Sequence, residues 1–204
     1  MKFKQCKQEL IDLGFGDSYD LVEYKDIVLS SINRAMKEIN YDFPIKDIYT
    51  FEQTGDEEGL GTLDLLELTK GTYRGEEEYV FNTLIDVPIR IVDNKITKFN
   101  NYLFEIDRYL RIDKAIKGQF SFYYTRRTRE VDISTDDNEY LTINYKAEKM
   151  LPLLASYYLW LDDDETKATQ YFNQYQDIKS SLLSAVITPK ATIGGISDEI
   201  IHTY

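Results

Sequence analysis

Four adjacent carboxylates, Asp162, Asp163, Asp164 and Glu165, form the densest acidic cluster of the sequence, inside the stretch YYLWLDDDETKATQYFNQY. Carboxylates held close together can bind a divalent cation and so support hydrolysis. The spacing argues against that chemistry here. A two-metal site draws its carboxylates from several elements, usually with Lys or His support, whereas four consecutive ones fan outward from one turn. An EF-hand alternates its ligands and needs a glycine at the tight turn, and DDDETKATQYFN does neither. A helix start, by contrast, wants acids at this place. Asp163 or Asp164 can accept hydrogen bonds from exposed N–H groups, and Glu165 complements the helix dipole. The cluster therefore reads as a turn between two helices.

The other chemistry-bearing residues are few. YYTRRTRE, residues 123–130, is the only basic knot. It suits either a phosphate contact or a strand whose arginines blunt an edge and pair with nearby acids, and the acidity of the chain favours the second. The single cysteine, Cys6, lies on an apolar stripe and reads as core, and the single histidine, His202, reads as an exposed tail residue. One cysteine and one histidine leave no zinc spacing and remove most histidine-based acid–base chemistry. GDEEGLG lacks the order of a phosphate loop, and no nucleophile elbow occurs. No catalytic residue, cofactor site or metal site is expected.

The elements that must carry these residues follow from periodicity. Phe3, Cys6, Leu10 and Leu13 fall on one helical face, broken by Gly14 and Gly16. Asp17 or Ser18 can cap a second helix with the stripe Leu21, Tyr24, Val28, Ile32, Ala35 and Ile39, ending before Pro44. The middle third changes character. Short β-branched or aromatic runs alternate with turn signals, and Asp93-Asn94 suits a hairpin turn. LDLLELT is ambiguous between a strand and a helical turn. In the strongest strand Phe120, Phe122 and Tyr124 point one way and Ser121, Tyr123 and Thr125 the other.

From about Asn144 the helical period returns. Ala147, Leu151, Leu154, Tyr158 and Leu161 line one face, and Ala168, Tyr171, Tyr175, Ile178, Leu182 and Ala185 another. Two helices with a short link predict an antiparallel αα-hairpin, with Pro152 kinking the first or marking its first turn. The fold class expected is thus α+β. It is a mainly helical bundle (residues 1–43 and the hairpin 140–186) with a β-rich insertion over 44–135, all in one domain of residues 1–186, and an extended tail over 187–204. That tail carries Ile187, Pro189, Ile193, Ile196, Ile200, Ile201 and Tyr204, apolar residues spaced as in a segment that orders on a partner.

Composition bounds the function. A chain of 204 residues, 43% hydrophobic, can build a real core. A net charge of −12 argues against a nucleic-acid grip, although an acidic wall lets DNA pass without sticking. MKFKQCKQELIDLG is amphipathic and charged, unlike a signal peptide, and the longest apolar run is too short to span a bilayer, so a start in the reducing cytoplasm is expected. The 17 tyrosines suit protein–protein surfaces, or reflect the codon bias of an AT-rich genome.

Several of these residues together resemble a known pattern. Tyr123, Tyr124 and Arg126 end a strand. Ala155, Tyr157, Tyr158 and Leu161 end a helix, the acidic turn Asp162–Asp164 follows, and Ala168, Tyr171 and Tyr175 sit on the next helix. The order is similar to that of the phage head-to-tail adaptor proteins, also called head-completion proteins, connectors or tail accessory factors. LSSINRAMKEIN resembles their opening helix, and about two thirds of the chain is covered.

The resemblance implies a structural virion protein of the neck. Its copies, about twelve, would form a ring below the portal, extend the DNA channel and bind a tail or stopper protein. The partners implied are the portal ring, the tail or stopper, further copies of the chain, and packaged DNA passing through the lumen without sequence-specific binding. The resemblance also implies that no membrane is involved and that assembly takes place in the host bacterial cytoplasm. C-terminal segments of the family reach the portal, so the tail residues from Ile187 to Tyr204 are the expected docking element. A carboxylate-dependent metal hydrolase or nuclease, and a monomeric protein-binding module, are the competing readings.

Overall fold

The computed structural model describes residues 1–16 and 22–187. The chain divides into two compact units, Met1–Pro44 together with the chain from Thr128 onward, and Ile45–Arg127.

The first unit is helical. Helix α1 spans Phe3–Asp12 and α2 spans Lys25–Asp42, each burying its stripe: Phe3, Cys6 and Leu10 on one, Val28, Ile32, Ala35 and Ile39 on the other. Tyr24, expected on the α2 stripe, stands 46% exposed before the helix proper. The expected caps Asp17 and Ser18 lie outside the described residues.

An irregular run from Thr128 to Ile143, with turns in its middle, is pinned to this unit by side-chain amides. Asn33 donates to the Val131 carbonyl and accepts from its N–H, both at 2.8 Å, and Asn40 donates to Thr142 O at 2.7 Å. The N-terminus lies along the same run, with Phe3 N–H on Glu139 O and Leu141 N–H on Met1 O. A 3₁₀ turn at Tyr145–Ala147 then leads into α4, Met150–Trp160. Pro152 sits in the first turn of α4, where its missing N–H costs nothing. Apart from Ser156, α4 carries only apolar and aromatic residues and buries most faces against α1, α2 and α5 (Glu165–Ile187), as an all-round hydrophobic helix must.

The regular elements of the second unit are ten strands and one short turn of helix, joined by turns and loops. Its ten strands are β1 Lys46–Gln53, β2 Leu60–Asp64, β3 Gly71–Tyr73, β4 Glu76–Glu78, β5 Phe81–Leu84, β6 Ile89–Val92, β7 Lys95–Lys98, β8 Tyr102–Glu105, β9 Tyr109–Asp113 and β10 Gly118–Arg126. Helix α3, Leu65–Leu68, follows β2 directly. One antiparallel sheet runs β1-β10-β6-β7, with β5 also paired to β10; a second runs β2-β9-β8; β3 and β4 form a hairpin.

Alternation on β10 and its neighbours supplies the core. Phe51 stacks on Phe120 at 5.3 Å, Tyr49 lies 5.3 Å from Phe122, and Phe99 meets Phe120 edge-on at 5.0 Å. Leu65, Leu110 and Ile112 complete the cluster from the other strands and α3. Gly118, at φ +148°, starts β10 where a Cβ would stand 3.0 Å from Val92 Cγ2 and 3.2 Å from Ile91 O, so a side chain there is both strained and crowded. Asp93 and Asn94 turn β6 into β7 with φ of +49° and +61°, the left-handed pair a tight hairpin requires.

The expected fold class needs correction. The chain is not a mainly helical bundle with a long C-terminal hairpin carrying a β-rich insertion. It is a mixed structure of five α-helices, among the described residues, and a large antiparallel β region. The strands have their own aromatic core, separate from the helical one. The first arm of the hairpin is also shorter than expected, starting at Met150 and not near Asn144.

Candidate functional site

The acidic cluster singled out in the sequence forms the link between α4 and α5. Trp160 O accepts from Asp163 N–H at 3.2 Å and Asp164 N–H at 2.8 Å, closing α4 with a tight turn. Asp164 then begins α5. Its Oδ1 accepts from Lys167 N–H at 2.9 Å, and its carbonyl accepts from Ala168 N–H at 2.9 Å. This is an N-cap, made by Asp164 and not Asp163. Asp162, Asp163 and Glu165 are exposed. Among the described residues, no three His, Cys, Asp or Glu side chains are grouped to hold a metal ion.

Lys167, one turn into α5, ties the link to the end of α1. Its Nζ lies 3.5 Å from the Trp160 ring centroid and donates to Gly14 O at 3.0 Å. Gly14 adopts φ +88°, and a Cβ there would stand 3.2 Å from that Nζ. Tyr171 donates its hydroxyl to Leu13 O beside it, and burial raises its pKa. Phe15, Tyr24, Ile27, Leu159 and Trp160 line a cleft of about 530 Å³ with Asp163 at its rim. Leu161, expected on the inner face, is 37% exposed, because the chain has already left the helix there.

Behind the link runs an aromatic ladder. Tyr157 contacts Tyr158 at 5.0 Å and Phe172 at 4.8 Å, and Phe172 lies 5.8 Å from the fully buried Tyr175. A polar stripe on α2 meets this ladder. Arg34 stacks over Tyr158 at 4.0 Å, Glu38 accepts from the hydroxyls of Tyr158 and Tyr175, and Asp42 pairs with Lys179 at 2.6 Å. Burial, then the Glu38 hydrogen bond, pushes the Tyr158 phenol well up. Asp42 in turn raises the Lys179 ammonium. Sequence reasoning missed Arg34, Glu38 and Asp42. Their spacing at i, i+4 and i+8, on the edge of the α2 apolar stripe, was the available signal.

The arginines of the basic knot are engaged one by one. Arg126 stands 3.8 Å from Asp47, Arg127 Nε donates to Phe81 O at 2.9 Å, and Arg129 lies 3.8 Å from Glu139. Tyr124 is buried on β10 and its phenol is pushed up to about 12 by burial, while Tyr123 faces outward. Cys6 is fully buried, and burial pushes its thiol up to about 12, which makes it inert as a nucleophile.

Of the tail residues, Ile187 closes α5, and Pro189, Ile193, Ile196, Ile200, Ile201 and Tyr204 lie outside the described residues, as does His202. Among the described residues, no helix is long and apolar enough to cross a membrane. No protein-family model matches the chain, and comparison with curated proteins gives no match.

Proposed function

We propose that this chain is a structural subunit of a phage neck, a head-to-tail adaptor that forms a ring below the portal, extends the DNA channel and joins the head to the tail. One observation carries the reading. Most of the residues of the resemblance that sit on α4 and α5 pack in one helical core, whereas Tyr123, Tyr124 and Arg126 lie on β10 of the second unit. Ala155 on α4 and Tyr171 and Tyr175 on α5 belong to the buried helical cluster, Tyr157 and Tyr158 pack against it, and Asp164 caps α5 between them.

Two further features support it. The net charge of −12, with the arginines of the basic knot taken up by acids and carbonyls, suits a wall past which DNA slides. In the acidic turn, Asp164 serves as the cap of α5, the role a link between two packed helices needs. In this role the chain does no chemistry of its own. The tail from Ile187 to Tyr204 docks on the portal ring or on a neighbouring copy, and the distal surface receives a tail or stopper protein.

The experiment is deletion of the gene from the infecting phage. Loss of an adaptor leaves heads and tails complete but unjoined, and supplying the protein in trans joins them. Infectious, fully joined particles without the gene would refute the reading. Metal-dependent nuclease activity of the purified chain would move it to the competing class.

A further inference from the structure

Strand β1 is the outermost strand of the larger sheet. On its paired side, Ile45 O accepts from Arg126 N–H at 2.8 Å. Antiparallel pairs alternate between hydrogen-bonded and non-hydrogen-bonded, so in the β1–β10 register residues 47, 49, 51 and 53 direct their backbone groups to β10. Residues Lys46, Ile48, Thr50 and Glu52 direct theirs to the free edge, and all four are exposed. The Ile48 N–H is held by the Asp47 carboxylate at 2.8 Å. Eight residues of unbulged edge strand without proline form an open template for another strand. The opposite edge, β7, is only four residues long and flanked by Lys95 and Lys98, which blunts it.

The charges on that edge select the partner. Lys46 and Glu52 stand near opposite ends of β1 on the same face, and neither has an ion-pair partner among the described residues. We propose that β1 pairs antiparallel with β1 of a second copy of this chain, about a twofold axis at Tyr49. In that register Lys46 lies opposite Glu52 of the second copy and Ile48 opposite Thr50, twice each. It is the one register in which all four outward-facing residues find hydrogen-bonding partners and both lysines meet a glutamate. The Asp47 carboxylate gives up the Ile48 N–H to the incoming strand. On the solvent face the pairing extends the exposed apolar pair Ile48 and Tyr123, which sit opposite each other on β1 and β10. Such an isologous contact closes at two copies. It does not rest on the neck reading, whose ring contacts run head to tail.

Sedimentation velocity of the full chain over a concentration series tests this. A reversible dimer is expected. Lys46→Glu and Glu52→Lys each weaken it by roughly tenfold, since each reversal places like charges opposite twice, and the double reversal restores it. Thr50→Pro removes an outward N–H that the single chain does not use, a substitution edge strands tolerate. It gives a folded monomer by circular dichroism. Under mild oxidation, a mixture of Ile48→Cys and Thr50→Cys chains forms a crosslink that neither variant forms alone, which reads the register. A monomer at every concentration overturns the proposal. So does any oligomer indifferent to Thr50→Pro and to the charge reversals, or a crosslink that does not need both cysteines.

Discussion

Tyr158 on α4 and Tyr175 on α5 share one carboxylate: the first hydroxyl donates to Glu38 Oε2 and the second to Oε1 at 3.4 Å. Glu38 thus joins three helices at a single point. Removing it leaves the buried Tyr175 hydroxyl without its acceptor, whereas Tyr158, half-buried, can turn to water. Glu38→Ala is expected to cost about 2 kcal/mol in urea denaturation, as for other charge-assisted hydrogen bonds. In a double-mutant cycle most of that loss should vanish in the Tyr158→Phe, Tyr175→Phe background.

The two tyrosines should differ in what their rings contribute. Tyr175 is fully buried and Tyr158 only partly. Tyr175→Ala is expected to cost about 4 kcal/mol by leaving a cavity, and Tyr158→Ala clearly less. Equal losses in thermal melts would place the centre of the helical core elsewhere.

Alkaline pH should unfold the protein through these same groups. Burial raises the phenols of Tyr124, Tyr158, Tyr171 and Tyr175 and the thiol of Cys6. A raised folded pKa means that the native state holds its proton longer than the unfolded chain. The stabilisation is complete below the unfolded values, about 9 for the thiol and about 10 for the phenols. It is lost as pH rises toward the folded values, about 12 for Cys6 and Tyr124. Denaturation midpoints should hold from neutrality to about pH 9 and fall beyond it. Tyrosine absorbance near 295 nm should show a fraction that ionises only with unfolding.

The acidic turn should behave as a cap. Asp164→Ala is expected to lower stability by about 1 kcal/mol, while Asp162→Asn and Asp163→Asn change it little. Calorimetric titration with Mg²⁺ should give no stoichiometric binding in any of the four proteins. Tight binding lost in the Asn variants would reinstate a metal centre.

Ile106 is 83% exposed at φ +54°, a backbone conformation β-branched residues avoid. Ile106→Gly should therefore raise stability by about 1 kcal/mol at no cost to packing.

Much of this was legible in the sequence, residue by residue. The stripes of α1 and of most of α2, the alternation of β10 and the Asp93-Asn94 turn follow from local periodicity and turn chemistry. The balance between helix and sheet did not. Helical period repeats over 10 to 23 residues in α1, α2, α4 and α5, whereas six of the strands are three or four residues long, too short to announce themselves. LDLLELT was ambiguous because it is both. Asp64 ends β2 and caps α3, accepting from the N–H of Leu66 and Glu67, and Arg108, 44 residues on, holds the carboxylate and keeps it below the usual carboxylate range. Pairing across such distances, like that of β1 with β10, has no local signature. The free edge of β1 was invisible for that reason, and so was the Glu38 hub.

The neck reading itself is tested most directly by native mass measurement of the full chain mixed with the portal ring of the same virion. A ring subunit gives one discrete complex, with about twelve copies of the chain added to each portal ring. A variant ending at Ile187 stays folded and fails to form that complex. Free chain and free portal at every mixing ratio would contradict the reading, whatever the chain does on its own.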